Sequence, residues 1–390
     1  MPDKPVLRVA MVGYAFMGGA HSQAWRNAHR FFELPAVPEL AVLCGRDASA
    51  AGSAAEKLGW QETATDWREV VARDDIDVVD VSSPGDTHRE IAIAALAAGK
   101  HVLCEKPLAN SVPEAEEMTD AAEAAEQQGV LSMVGFNYRR TPALALAREL
   151  VAQGRIGRVH HIRAQYLQDW IVDPDFPLVW RLQKDKAGSG ALGDIGAHVV
   201  DLAHFLTGER LTGVSGTLER FVERRPLPEQ ATGLSGSPGS ATGEVTVDDA
   251  AAFFGRTETG ALAAFEATRF ATGRKNAMRI ELNGSDGSLA FDFERLNELQ
   301  FYDGTVPTTE AGFRRILATD PGHPYAAAWW PPGHGLGYEH TFVHEVADFV
   351  RDVCSGNPPT PSFADGLYVQ RVMDAVERSS AASSTWTAIG

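Results

Sequence analysis

Short aliphatic and β-branched runs alternate with alanine-rich segments along the first 135 residues, and no other feature restricts the fold of this chain as much. The runs fall at 7–12, 40–44, 78–82, 101–104 and 131–134; the segments between them, 48–58, 87–98 and 112–128, carry helical spacing. Strands alternating with helices predict βαβ units and a parallel sheet covered on both faces. Beyond about residue 150 the pattern changes. A polar-apolar alternation at 158–168 precedes strand-like runs near 212–223, 244–255, 260–269, 277–283 and 288–293, whose hairpin-like spacing predicts an antiparallel sheet. Segment 224–243, rich in Gly, Ser and Pro, reads as a mobile loop. Helical periodicity returns at 339–354 and 362–380. At 390 residues the chain exceeds one ordinary core, so two domains are expected.

The first run leads directly into "VGYAFMGGAH". Gly13 and Gly18 take the first and last glycine places of the dinucleotide fingerprint, and Ala15 the middle one, where a backbone must approach a pyrophosphate. Standing between a strand and a helix, this turn can aim backbone N–H groups and a helix dipole at phosphate. Phe16 and Met17 complete it. The second strand ends in Gly45, Arg46 and Asp47, where an NAD site usually offers an acid to the ribose. Arg46 permits NADP; it could equally stack on adenine while Asp47 caps the next helix, and the residues leave that choice open.

In an open parallel sheet, ligands bind beyond the carboxyl ends of the strands, where strand order reverses. Three polar loops follow such ends: "SSPGDTHRE" (82–90), "CEKP" (104–107) and "GFNYRR" (135–140). They make Ser83, Pro84, His88, Glu105, Lys106 and Asn137 candidate dinucleotide contacts, together with Gly13, Ala15, Phe16, Met17, Gly18 and Arg46. A lysine at the end of an apolar strand and before a proline is either solvated or employed. A second glycine-rich stretch, "GSGALGDIGAHVVDLAH" (188–204), opens an apolar helix with Asp194 and His198 four residues apart, one helical turn from each other. The glycines allow close backbone approach, and the acid can hold the imidazole in one tautomer. Asp201, on roughly the same stripe, reads as structural.

Residues 9–18, "EKP" at 105–107 and "GDIGAHVVD" at 193–201, in this order and spacing, resemble the Gfo/Idh/MocA family of oxidoreductases over nearly the whole chain. The resemblance implies an α/β protein: an N-terminal Rossmann domain (1–137) and a C-terminal α/β domain (138–390) with a large open, mostly antiparallel sheet, the last helices packing back on the first domain. It also implies NAD(P)-dependent oxidation of a secondary hydroxyl of a sugar, anhydrosugar or cyclitol. Lys106, Asp194 and His198 then correspond to the family's catalytic lysine and D-x-x-x-H pair: His198 takes the proton, Lys106 holds the alkoxide, and Asp194 orients. Ala15 and the Gly45-Arg46 pair depart from the family pattern. Within the family the likeness is greatest to members that oxidise an anhydrosugar to a 3-keto product with NAD, with oxidation of myo- or scyllo-inositol as the runner-up; this favours NAD although Arg46 leaves NADP open. A homotetramer or homodimer through the open sheet is the family expectation.

Two segments, 165–181 and 323–340, are rich in aromatics, on which sugars stack. Tyr166, Gln168, Trp170, Trp329, Trp330 and His334 therefore join Lys106, Asp194 and His198 as candidate substrate contacts. Relatives that use NAD transiently to cleave glycosides, and non-catalytic dinucleotide sensors, are alternative readings. The sensors could dispense with Lys106, Asp194 and His198, whereas all three are present. A net charge of -17 argues against nucleic acid and anionic membrane as partners. No run approaches the ~18 apolar residues of a membrane span, and the N-terminus lacks a signal-peptide pattern, so a cytoplasmic location is expected. Cys44, Cys104 and Cys354 are far apart and set in apolar runs, which predicts reduced structural thiols and no metal site.

Overall fold

A computed structural model describes residues 4–232 and 235–390. The first part runs β1 (Val6–Val12), α1 (Phe16–Phe31), β2 (Val37–Cys44), α2 (Ala48–Leu58), β3 (Glu62–Ala64), α3 (Trp67–Val71), β4 (Val78–Val81), α4 (His88–Ala97), β5 (His101–Cys104), α5 (Val112–Glu126) and β6 (Ser132–Val134). Its strands form one parallel sheet in the order β3-β2-β1-β4-β5-β6, which is the Rossmann arrangement. β4 is buried throughout and β5 nearly so, as a sheet with helices on both faces requires. Strand order reverses between β1 and β4, and the crevice opens there.

The second part contains α6 (Pro142–Ala152), β7 (Val159–Leu167), α7 (Lys184–Ala187), α8 (Ala197–Thr207), β8 (Leu211–Glu219), β9 (Arg224–Thr232), β10 (Ser235–Glu244), β11 (Ala250–Thr257), β12 (Leu262–Thr268), β13 (Ala277–Gly284), β14 (Gly287–Asp292), β15 (Glu298–Asp303), β16 (Arg314–Leu317), α9 (Tyr338–Ser355), α10 (Phe363–Ala381) and β17 (Thr387–Ala388). A nine-stranded sheet has the order β16-β15-β14-β13-β7-β12-β11-β8-β17. All its pairings are antiparallel except β12 with β7. In β11 every second residue is buried, so one face meets α8 and α10 while the other stays open.

Two expectations need correction. The 224–243 segment is not a loop but the antiparallel β9-β10 hairpin, whose tip lies outside the described residues. Prolines fit because a two-stranded ribbon is all edge, and the register shifts around Pro238. The ribbon is pinned by fully buried Arg225, which donates to the carbonyls of Ile171 and Asp173. Cys354, read as a structural thiol in an apolar run, is exposed on the last turn of α9; Cys44 and Cys104 are buried.

The chain's last long helices return to the first sheet. α9 lays Phe342, Val346 and Phe349 against Met11, Trp25 and Leu103, completing one face of that sheet. On the other face, α10 packs with α5. Among the described residues no helix is long and apolar enough to cross a membrane.

Candidate active site

The turn after β1 is shaped by sterics. Gly13 has φ +111°, and a Cβ on it would lie 2.7 Å from the backbone of Ser82; one on Gly18 would lie 2.3 Å from the Gly13 carbonyl oxygen. The ends of β1 and β4 can close only over glycine. Ala15 precedes α1, whose first turn has no side-chain cap and no acid. Its N–H groups and positive dipole end are thus left for an anion, and this cradle fits a dinucleotide pyrophosphate. At the end of β2, Asp47 caps α2 by accepting from the Ala50 N–H at 2.8 Å, while Arg46 is exposed. The Tyr14 ring covers Gly45 so closely that a Cβ there would sit 1.9 Å from it, so any side chain at that position would have to displace the ring.

From this turn a cleft of about 560 Å³ runs between the two sheets. Ala15, Phe16, Met17, Ser83, Pro84, His88, Glu105, Lys106 and Asn137 line it, as do Tyr166, Gln168, Trp170, Asp194 and His198. Several of these also brace the walls. The ring nitrogens of buried His88 lie 2.9 Å from the Ser83 carbonyl and 3.0 Å from that of Pro107, joining two loops. Asn137 donates to the Thr341 hydroxyl at 2.7 Å, tying β6's loop to α9.

Asp194 does not sit on a regular α-helix. Leu192–Gly196 forms a π-helical turn that runs into α8, a distortion frequent at functional sites. The Asp248 carboxylate holds its start, accepting from the N–H groups of Gly190 at 2.7 Å and Leu192 at 2.8 Å. Lys106 reaches across from the first sheet and donates from Nζ to the Asp194 carbonyl at 2.7 Å, with the carboxylate Oδ1 at 3.8 Å. Arg269, with no exposed side-chain surface, approaches the other carboxylate oxygen at 3.5 Å. Burial alone would raise the Asp194 carboxyl; Lys106, Arg269 and Arg181 override it and hold the group below its ordinary range. His198 is walled by the rings of Phe136, Tyr138 and Tyr166 at 4.5 to 6.0 Å. Burial, reinforced by Lys106, pushes its imidazole well below the ordinary value, so it is neutral at pH 7.

The second sheet supplies a directed chain of hydrogen bonds. Tyr138 and Tyr166 share one at 2.7 Å; Tyr166 and Gln168 both donate to Asn276 Oδ1 at 2.7 Å, and Trp170 donates to Gln168 at 3.0 Å. With its oxygen doubly engaged, Asn276 keeps its amide N–H groups for the cleft that it lines. Sequence reasoning missed Asn276, Arg181, Arg269 and Asp248. Only the "RKN" run at 274–276, polar just before a strand, hinted at the first.

Trp329, Trp330 and His334 do not line the cleft, which corrects their reading as sugar contacts; of the 323–340 segment, Tyr338 does line it. Trp329 packs at a tilt 4.3 Å from Phe31 and donates to His344 at 2.7 Å; Trp330 lies edge-on to Phe31; His334 is exposed and bonded to the Pro331 carbonyl. These aromatics cover the end of α1 rather than a ligand.

Residues 7–136 match the model of an oxidoreductase family with an NAD-binding Rossmann fold, and 144–290 that of the GFO/IDH/MocA C-terminal domain. Levoglucosan dehydrogenase of Pseudarthrobacter phenanthrenivorans is 42% identical, over 97% of each chain. An oxidoreductase domain protein from Kribbella flavida superposes with a TM-score of 0.95 at 64% identity, covering 99% of this chain and 100% of that one. For levoglucosan dehydrogenase in complex with NADH and levoglucosan the TM-score is 0.92 at 41% identity, over 98% and 99% of the two chains.

Proposed function

This chain belongs to the Gfo/Idh/MocA oxidoreductase family, as a sugar or polyol dehydrogenase with an NAD-binding Rossmann domain, and from that premise we propose that it oxidises levoglucosan to its 3-keto product. The observation that carries the reading is a neutral His198 placed beside Lys106 and Asp194, in one cleft with the uncapped start of α1. The two domains proposed to share the work are 1–137, which holds the dinucleotide, and 138–390, which holds the sugar. NAD, when bound, supplies the hydride acceptor.

The chain's own residues do the rest. Neutral His198 accepts the hydroxyl proton as the carbon is oxidised, and its lowered basicity leaves one ring nitrogen unprotonated at pH 7. Lys106 offers an ammonium, fixed in place by the Asp194 carbonyl, to the oxygen that becomes negative. Asp194, ionised, accepts from a neighbouring sugar hydroxyl. The Asn276 amide and the face of Trp170 orient the ring. Ala15, Met17 and the first-turn N–H groups of α1 bind the pyrophosphate.

The test is absorbance at 340 nm with NAD and NADP in parallel, against levoglucosan, myo-inositol, scyllo-inositol, glucose and xylose. A strong rise with levoglucosan and NAD is expected. Turnover of an inositol alone overturns the substrate, a preference for NADP overturns the cofactor, and sugar release without NADH makes the protein a glycosidase.

A further inference from the structure

The dinucleotide turn and the reactive lysine are joined by a buried chain of groups that the proposed mechanism does not use. His21 lies on α1, three residues after Gly18, and is 1% exposed. Its Nδ1 is 2.8 Å from Asp80 Oδ2 on β4, and its Nε2 is 3.0 Å from Glu105 Oε1. The other Glu105 oxygen accepts the Lys106 backbone N–H at 2.9 Å. Asp80 is held in turn, accepting from Trp25 Nε1 at 2.6 Å and Ser82 Oγ at 2.8 Å.

An ionised carboxylate can only accept a hydrogen bond, and a neutral imidazole has one N–H to give. A ring with a carboxylate at each nitrogen therefore satisfies both only when it carries two protons. We propose that His21 is a positioning residue for Lys106: an imidazolium clamped between Asp80 and Glu105, which fixes the Glu105-Lys106 backbone and so aims the lysine into the cleft. This rests on the dehydrogenase reading for what Lys106 does, but not for the state of His21.

The charges around the clamp support it. Besides Asp80 and Glu105, Glu345 faces the site from α9, Arg140 stands beyond Glu345, and the Phe342 ring covers the imidazole at 5.4 Å. Burial opposes the imidazolium; Asp80 and Glu105 outweigh it and raise the group well above its ordinary value. Glu345, with neither carboxylate oxygen bonded, is pushed by burial up to about 8 and is uncharged at pH 7. Two buried carboxylates thus share one cation, and without it neither has a counter-charge on this ring.

The state of His21 is read by nitrogen NMR of histidine-labelled full-length protein, with His21→Gln used to assign the signals. Both ring nitrogens are expected in the protonated range at pH 7, and a neutral tautomer there overturns the proposal; this readout needs no substrate. The positioning role is read by kinetics with the sugar that the wild-type protein turns over. His21→Gln is expected to lower kcat at least tenfold while changing NAD affinity, measured by fluorescence titration, less than threefold. Asp80→Asn keeps the side-chain shape away from the cleft, provides the same reading if His21→Gln does not fold, and is expected to lower kcat in the same way. Wild-type kcat in a folded variant of either kind overturns the role. Silence of the wild-type enzyme towards every sugar would defeat the dehydrogenase reading and leave the NMR result to decide the state of His21.

Discussion

Replacing His198 with alanine is expected to lower kcat by about 10² to 10⁴, equivalent to ~3–5 kcal/mol of barrier, with NAD affinity unchanged. Steady-state kinetics paired with a binding titration separate the two quantities. Because burial and Lys106 depress the His198 imidazole, its neutral form persists as the medium becomes acid. The limb of kcat/KM that reports this group should fall well below the ordinary histidine range, and a limb centred near the ordinary histidine value would contradict the assignment. Gly18→Ala places a methyl 2.3 Å from the Gly13 carbonyl oxygen and should abolish dinucleotide binding by titration. These residues were legible in the sequence because each stands in a short motif whose spacing survives into the fold. Arg269 and Asn276 were not, because each meets the site only through sheet register. β12 runs beside β7, and this brings Arg269, the residue after β12, to the π-helical turn. A buried arginine and an ordinary asparagine carry no local signal of such a meeting.

Among the elements, the hairpin departs furthest from its sequence. Its Gly-Ser-Pro composition conceals a ribbon because the deciding contacts are distant: Arg225 reaches back to the carbonyls at 171 and 173, and Leu178 donates to the Pro226 carbonyl at 2.7 Å. Segment 168–181 thus rests on the hairpin through a small core of Ile171, Leu178, Val179 and Val245, while presenting Trp170 and Arg181 to the cleft. Arg225→Met leaves those carbonyls unpaired, at a cost of about 1–3 kcal/mol each. It should raise KM for the sugar roughly tenfold, on the scale of one such loss, without altering NAD affinity. Equal loosening of sugar and NAD would show that the ribbon supports the whole fold instead. The 48–58, 87–98 and 112–128 helices, by contrast, were readable to within a few residues, since Asp47 and Ser111 cap two of them and their apolar faces repeat at helical spacing.

For the whole molecule, the open face of the nine-stranded sheet exposes Phe254 on β11 at 58%. A dimer or tetramer closing over that face is the expected outcome of sedimentation velocity, and Phe254→Glu should shift it towards the monomer. The two-part architecture was plain from the change in strand pattern after residue 150. Glu345 was not, since one acid on an amphipathic helix looks like any other. Folded, its carboxyl is raised from 4.5 to about 8, so the native state keeps a proton that the unfolded chain releases. That group therefore costs stability increasingly as pH rises through this interval. Glu345→Gln should gain melting temperature over wild type at pH 8 and little at pH 5, and an equal gain at both would refute the assignment. The same helix has a consequence for how the protein is made. The first sheet is completely translated at residue 134, yet Met11, Trp25 and Leu103 remain uncovered until α9 has emerged to Val350. At ordinary elongation rates that leaves an apolar surface bare for roughly 10–40 s on the ribosome, so the first sheet is fully translated long before it can close as a domain.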